Sequence, residues 1–542
     1  MMEGTEYSKA KGTSDVQGNR SQEIRISVDL SNGEKAANIQ RMENVRQSLH
    51  ELKIDCSQDN VPGIAVLGSG GGLRAMIALQ GTLQELENQN LLGTVKYLCG
   101  VSGSTWCMSY LYKHEDWPKK LPTLEKGLCE KLAGGSWEMN KLLDALGAAV
   151  DEDDEYSLTD FWAYAIIYEM LSELDEALLS EQDCEKGKAP YPIYAAVDGK
   201  RLTEASKTSK EIWFEFTPHE AGFPSPGGFV STTHFGSEFE NAELKKKNKQ
   251  KNIGYLRGLW GSALASSEEI KKAIIDSLKQ FIFGRNVDAA HLQEEKKQSE
   301  TYRMRSVLKD ERNLLRKDAQ VQDYVTVCEI LEKESVEAAK QTPLHEKASI
   351  GVWTLPKIAF KTLPLLRTWT WGSNRNFLYK CCDIQSGDLA NDDIISLVDA
   401  GLAINSAYPL LLRPERKVNL ILSFDFSSGD PFETVKMAAK YCKENNIPFP
   451  KLDEKTLEKD KDNPENCYIF QEENAPTVIH IPLFNRVNCE GKIDEWNEKY
   501  SIFKLSSYTD QEIRDLLRVA KQNVSNLNTK ERILAEIQNA VK

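Results

Sequence analysis

Between residues 63 and 113 the chain passes twice through the same order of events: an apolar run, a turn of small residues, and a helical stretch. The first pass is GIAVLG, SGGG, LRAMIALQGTLQELENQNLL; the second is TVKYLCG, then VSGSTWCMSYLYK, a turn that opens another helix. Short runs that are apolar throughout, rather than alternating, read as strands buried on both faces. Strand, tight turn and helix in succession predict an α/β domain with a largely parallel central sheet. Further strand candidates fall at residues 191–198, 212–218, 418–426 and 476–484, so the sheet draws on both ends of the chain.

Residues 1–35 are polar and are expected to form a disordered tail, and residues 36–53 a charged surface helix. The remainder, 36–542, reads as one α/β domain carrying a cap or lid inserted within about residues 215–375. Its most charge-rich part, 285–345, has a helical pattern and few aromatics. A net charge of −14 argues against a nucleic-acid partner. The runs KKKNKQK (245–251) and DEDDE (151–155) read as solvated segments, the second at a helix start. Eleven scattered cysteines without a CxxC pair fit a reduced, cytoplasmic setting. The N-terminus lacks an apolar core and no stretch could span a bilayer, so membrane contact is expected to be peripheral. No metal-ligand spacing is found, and no cofactor is expected.

The first turn, Gly68-Ser69-Gly70-Gly71-Gly72-Leu73-Arg74, fails two nucleotide signatures: Leu73 stands where a third dinucleotide glycine belongs, and no Gly-Lys-Ser/Thr follows. What remains is a loop whose backbone N–H groups can converge on an anion. The second turn, Gly100-Val101-Ser102-Gly103-Ser104, has the form of a nucleophile elbow with serine in the last position. Small residues there let backbones close in around an exposed Ser102. An exposed serine beside an oxyanion-binding backbone supplies two parts of acyl transfer.

A serine needs a base, and two downstream residues qualify. Asp399, ending the apolar run before Ala400-Gly401, can project from a strand end, or can cap the next helix. His480 would complete a Ser, Asp, His order but lies within an alternating apolar run, the usual place of a core histidine.

The blocks GSGGGLRAM, GVSGSTW and LVDAGLAINSAYP, supported by YSLTDFWAY, WFEFTP, LRGLWGSAL, WGSNRNFLY and FDFSSGDPF, closely resemble the group IV cytosolic phospholipases A2, the gamma form above all. The likeness runs from about residue 60 to past residue 480. It implies a patatin-like layered α/β fold with an inserted cap. It also implies a dyad of Ser102 and Asp399 without histidine, an oxyanion hole from the amides of Gly71 and Gly72, and Arg74 facing the headgroup phosphate. Phospholipids and lysophospholipids are the implied substrates, and a transacylase side activity is compatible with the same chemistry. No C2 domain is expected, because the catalytic blocks begin within the first 75 residues. Calcium-triggered docking is therefore not expected, nor is a prenyl anchor on a terminus reading EIQNAVK.

Residues 348–372 place Trp353, Trp369 and Trp371 among aliphatics and the cations Lys357, Lys361 and Arg367. Such a segment suits a lipid interface, or a core position under the cap. A catalytically inactive lipid-binding protein and a Ser-Asp-His esterase are the alternatives to a dyad phospholipase. A nucleotide-binding regulator is disfavoured by the missing third glycine and P-loop lysine.

Overall fold

Each apolar run read as a buried strand forms one. A computed structural model describes residues 23–134, 138–152, 155–182, 184, 186–262, 270–274, 276–278, 351–384, 388–501 and 508–541. In chain order the strands are β1 (Ile24–Ile26), β2 (Ile64–Gly68), β3 (Tyr97–Gly100), β4 (Tyr191–Asp198), β5 (Trp213–Phe216), β6 (Glu220–Phe223) and β7 (Gly228–Ser231). They continue with β8 (Glu238–Glu240), β9 (Glu243–Lys246), β10 (Ser373–Arg375), β11 (Ile394–Asp399), β12 (Leu420–Asp425), β13 (Tyr468–Phe470) and β14 (Thr477–Pro482). Across the main sheet the order is β1-β7-β6-β5-β4-β3-β2-β12-β14-β13, with β11 against β4 and β10 against β11. The centre, β4, β3, β2, β12 and β14, is parallel, and its flanks are antiparallel. Every residue of β2, β4 and β12 is buried, which is why these segments read as unbroken apolar runs.

One strand organises the rest. Along one edge of β4 runs β5, opposite residues 194–197. The other edge is shared end to end: β3 pairs with residues 191–194 in parallel, and β11 with residues 196–198 in antiparallel. The two strands therefore approach each other head-on, Gly100 opposite Tyr194 and Asp399 opposite Ala196.

Helix α1 (Asn32–Glu51) covers β4, α2 (Gly72–Asn88) follows β2, and α3 (Gly103–Leu111) follows β3. Helix α2 packs against α3 and against the helix Asp510–Ser525. Contact between α2 and the helix Asp510–Ser525 is close, since a Cβ at Gly81 would stand 3.0 Å from the Leu517 carbonyl oxygen.

Two expected boundaries move. The disordered tail cannot reach residue 35, because Ile24–Ile26 is an edge strand on β7 and α1 begins at Asn32. Glu34 anchors that helix: the Arg416 guanidinium donates to it (Nε to Oε1, 3.0 Å) and to Glu215 (Nη1 to Oε2, 2.8 Å), all three buried. Residues 1–22 lie outside the described residues. Likewise the segment from 215 onward is not cap at its start: β5, β6 and β7 extend the main sheet by antiparallel pairing, and only β8 and β9 form a separate hairpin. The charge-rich segment 285–345 lies outside the described residues. A described part of the inserted region, the helix Gly351–Thr368, packs on the helix Met139–Glu152.

Candidate active site

Ser102 sits between β3 and α3 with φ +52° and ψ −124°, a conformation that β-carbon sterics disfavour and that a strand-to-helix elbow imposes. The small residues around it are there for contact. A Cβ on Gly103 would stand 1.9 Å from the Gly72 carbonyl oxygen, so the elbow and the glycine loop touch backbone to backbone. Ser104 Oγ donates to the Ser69 carbonyl at 2.6 Å, and a Cβ on Gly68 would lie 2.7 Å from that same Oγ. Ser104 thus locks the two turns together while Ser102 stays 5% exposed.

In the glycine loop, Ser69 N donates to Phe424 O at 3.1 Å and Gly70 N to Asn405 O at 3.0 Å. Gly71 (φ 153°) caps α2 and Gly72 (φ 58°) opens it, both in backbone conformations that side chains resist. Among the described residues the N–H groups of Gly71 and Gly72 donate to no acceptor. They are two of the orphan donors that every helix N-terminus leaves.

Asp399 is fully buried at the end of β11. Its backbone N–H donates to Ser262 Oγ at 3.0 Å, and its Oδ1 accepts from Gly401 N at 2.8 Å. What brings it to Ser102 is strand register. On the shared edge of β4 the partners of Gly100 and Asp399 are residues 194 and 196, two residues apart, or about 7 Å at the usual rise per strand residue. Ser102 is two residues beyond Gly100, on the turn that follows β3. Ser102 Oγ makes no hydrogen bond among the described residues, so register rather than a formed bond joins the pair. Such an arrangement can move a proton between serine and carboxylate once a substrate closes the site.

Asn405, a residue the sequence did not single out, bridges the two halves. Its Nδ2 donates to the Gly70 carbonyl at 3.2 Å and to Ser427 Oγ at 2.7 Å. Its Oδ1 lies 2.3 Å from where a Cβ on Gly70 would stand and 2.8 Å from one on Gly401. The amide is wedged between the glycine loop and the turn after Asp399. Only its position inside LVDAGLAINSAYP hinted at this. Ser262 was missed for the same reason, being a polar residue on a separate segment that reaches Asp399 only in the fold.

His480 and Arg74 are both buried. His480 is on β14, with β12 and β2 between it and β3. Its Nε2 is 2.7 Å from the Pro431 carbonyl and 3.9 Å from Asp425 Oδ2, and burial pushes its pKa down. It is a core histidine. The Arg74 guanidinium, expected toward a headgroup, is 1% exposed. Nε and Nη2 both donate to the Phe426 carbonyl (3.0 and 2.6 Å), and Nη1 donates to the Tyr500 carbonyl at 3.2 Å. Burial lowers its pKa to about 10, which leaves it charged at neutral pH. The physical reason for this placement is that a buried guanidinium without a carboxylate partner must spend its donors on carbonyls.

Beside the Asp399 turn a cavity of about 430 Å³ opens, with Leu202, Trp369, Trp371, Val398 and Leu402 among its walls together with the polar Lys200, Thr203, Ser262 and Ser396. Trp371 is buried against Trp162 (ring centroids 6.1 Å apart), whereas Trp369 is half-buried under the Lys271 ammonium, and Leu402 is exposed. The Trp353 side chain lies outside the described residues. Among those residues no cluster of His, Cys, Asp and Glu is arranged to hold a metal, and no helix is long and apolar enough to cross a membrane.

This geometry has relatives. Residues 64–306 match the family described as lysophospholipase catalytic domain. Over 530 residues the chain is 39% identical to human cytosolic phospholipase A2 gamma, covering 96% of each. It is 38% identical to the mouse gamma protein, covering 94% of this chain and 91% of that one. Human cytosolic phospholipase A2 zeta is 33% identical across 86% of this chain and 54% of its own length. Among solved structures, human GIVD cytosolic phospholipase A2 superposes with a TM-score of 0.68 at 22% identity, over 96% of this chain and 66% of that one, which establishes a shared fold. With near full-length identity of this order, the chain belongs to the cytosolic phospholipase A2 family.

Proposed function

We propose that the protein hydrolyses acyl esters of glycerophospholipids and lysophospholipids through an acyl-serine intermediate on Ser102, with Asp399 as the proton acceptor. The observation that supports this is the head-on meeting of β3 and β11 on one edge of β4, since β3 leads into the strained Ser102 and β11 ends on the buried Asp399. Membership of a family of phospholipases A2 and the lysophospholipase domain match support the substrate class. Human GIVD cytosolic phospholipase A2, which shares the fold, has been solved in complex with methyl gamma-linolenyl fluorophosphonate.

In the first half-reaction Ser102 Oγ attacks the ester carbonyl while Asp399 takes its proton. The carbonyl oxygen becomes an oxyanion that the Gly71 and Gly72 N–H groups stabilise. Collapse breaks the bond to the glycerol oxygen, which leaves with the proton held by Asp399. In the second half, water attacks the acyl-serine, gives a proton to Asp399, and Ser102 Oγ recovers it as the fatty acid departs. An alcohol in place of water yields transacylation. Every role here is filled by side chains and backbone donors, and we read turnover as calcium-independent. The apolar cavity beside Asp399 would take an acyl chain, and half-exposed Trp369 with exposed Leu402 would meet the surface of the membrane.

The test is product analysis on a phosphatidylcholine carrying two distinguishable acyl chains, with and without a calcium chelator. Wild type is expected to release fatty acid in both conditions, and Ser102→Ala and Asp399→Asn to release none. Near-normal turnover by Asp399→Asn removes the dyad, and loss of turnover under chelation removes calcium independence.

A further inference from the structure

The glycine loop stands on two feet, and both rest on one residue. At its start, Ser69 Oγ accepts a hydrogen bond from Phe426 N at 2.7 Å. At its end, the Arg74 guanidinium donates twice to the Phe426 carbonyl, through Nε at 3.0 Å and Nη2 at 2.6 Å. Residues 70–73 span the interval, including the Gly71 and Gly72 amides. A loop rich in glycine has no side chains of its own to fix it, so its shape depends on what holds its ends. Phe426 is in turn fixed, because it follows β12, the neighbour of β2. From the far side, Arg74 Nη1 reaches the Tyr500 carbonyl at 3.2 Å and Asn497 Oδ1 at 3.5 Å, and the guanidinium carbon lies 5.6 Å from the Phe484 ring centre.

From this geometry we propose that Arg74 is a positioning residue that fixes the oxyanion amides by clamping Phe426 opposite Ser69, and that it serves phosphate-bearing and phosphate-free esters equally. To reach a lipid phosphate the side chain would have to abandon three carbonyl hydrogen bonds and leave the protein interior. The same bonds explain why arginine stands here. Its planar fork can place two N–H groups on one oxygen and a third on another, which a lysine ammonium on a flexible stem reproduces poorly.

The proposal rests on the ester-hydrolase reading above, and the experiment separates the two. Hydrolysis of 1-palmitoyl-lysophosphatidylcholine is compared with that of 1-palmitoylglycerol, which presents the same acyl ester without a phosphate. Rates are counted per serine titrated with a fluorophosphonate, so that unfolded protein does not enter. Arg74→Ala and Arg74→Lys are expected to lower kcat about 10²-fold on both esters alike, the scale of a small misplacement of catalytic groups. KM should change little, and added guanidinium ion should restore part of the Arg74→Ala rate on both. Ser69→Ala, which removes the other foot and leaves every cation in place, is expected to depress kcat on both esters too. It also carries the comparison if Arg74→Ala does not fold. Loss confined to the phosphate-bearing ester, full activity of Arg74→Lys on it, or unchanged rates in the Arg74 variants would each overturn the proposal. A folded wild-type chain that cleaved neither ester would instead remove the functional reading beneath it.

Discussion

Asn405 shows how much of a site can hang on one amide. It shares no bond with Ser102, yet it separates the Gly70 carbonyl from the Gly401 turn by its own width. Asn405→Ala removes that spacer and leaves the Gly70 and Asp399 turns free to drift, so kcat should fall about 10²-fold with KM little changed. Single-turnover kinetics read this directly. Asn405→Asp keeps the shape and adds a negative charge near Asp399. A like charge raises a carboxyl pKa, and the base must be ionised to act. The rising limb of the pH–rate profile should therefore move to higher pH than in wild type. A profile that stays in place would mean the amide does not feel the Asp399 carboxylate. Arg74 teaches the complementary lesson: the family resemblance implies a headgroup ligand, while the side chain lies buried on backbone carbonyls. Its partners, Phe426 and Tyr500, lie far along the chain and nothing near residue 74 announces them.

At the scale of elements, the contact between the two turns is the most sensitive joint. Gly103→Ala would drive a methyl into the Gly72 carbonyl, and neither backbone can yield without moving α2 or α3. Overpacking of this kind costs about 1–3 kcal/mol, so the variant should melt earlier and react slowly with a fluorophosphonate. Normal melting and labelling would show that the turns are not in contact. Elements differed in how plainly the sequence announced them. Strands β2, β4 and β12 are buried on both faces and need only an unbroken apolar run to be seen. By contrast β6, EAGF, and β7, GFVS, are short and glycine-bearing, and their strand character comes from pairing with each other and with β5. No local pattern reveals such a partner, which is why this stretch read as cap. The nucleophile elbow was legible because its chemistry is local. The convergence with Asp399 was not, since it depends on β11 entering the β4 edge where β3 stops.

For the whole molecule, the buried cluster of Glu34, Glu215, Arg413 and Arg416 joins α1 to the sheet. Burial by itself would raise the Glu215 pKa, but Arg413 and Arg416 hold it below the ordinary carboxylate range. A depressed folded-state pKa means stability that is fully present above the unfolded value, about 4.3 for glutamate, and lost as pH falls through the folded value. The melting temperature should therefore be insensitive to this group from neutral pH down to about pH 5 and fall below about pH 4. Arg416→Ala strands the buried Glu34 carboxylate and leaves Glu215 to Arg413 alone, which should cost about 3–5 kcal/mol, read by denaturant unfolding. An equally stable Arg416→Ala would show that α1 is held by its apolar face alone.

The end-to-end meeting of β3 and β11 also sets a clock. Ser102 is synthesised early, while the strand that delivers its partner emerges only after the inserted region, and Phe426 later still. Contacts between such distant parts of a chain form slowly, after local helices and turns. Regain of ester hydrolysis on refolding should thus lag behind recovery of far-ultraviolet circular dichroism. On the proposed mechanism, a nascent chain released before β11 would carry Ser102 without Asp399 and be silent.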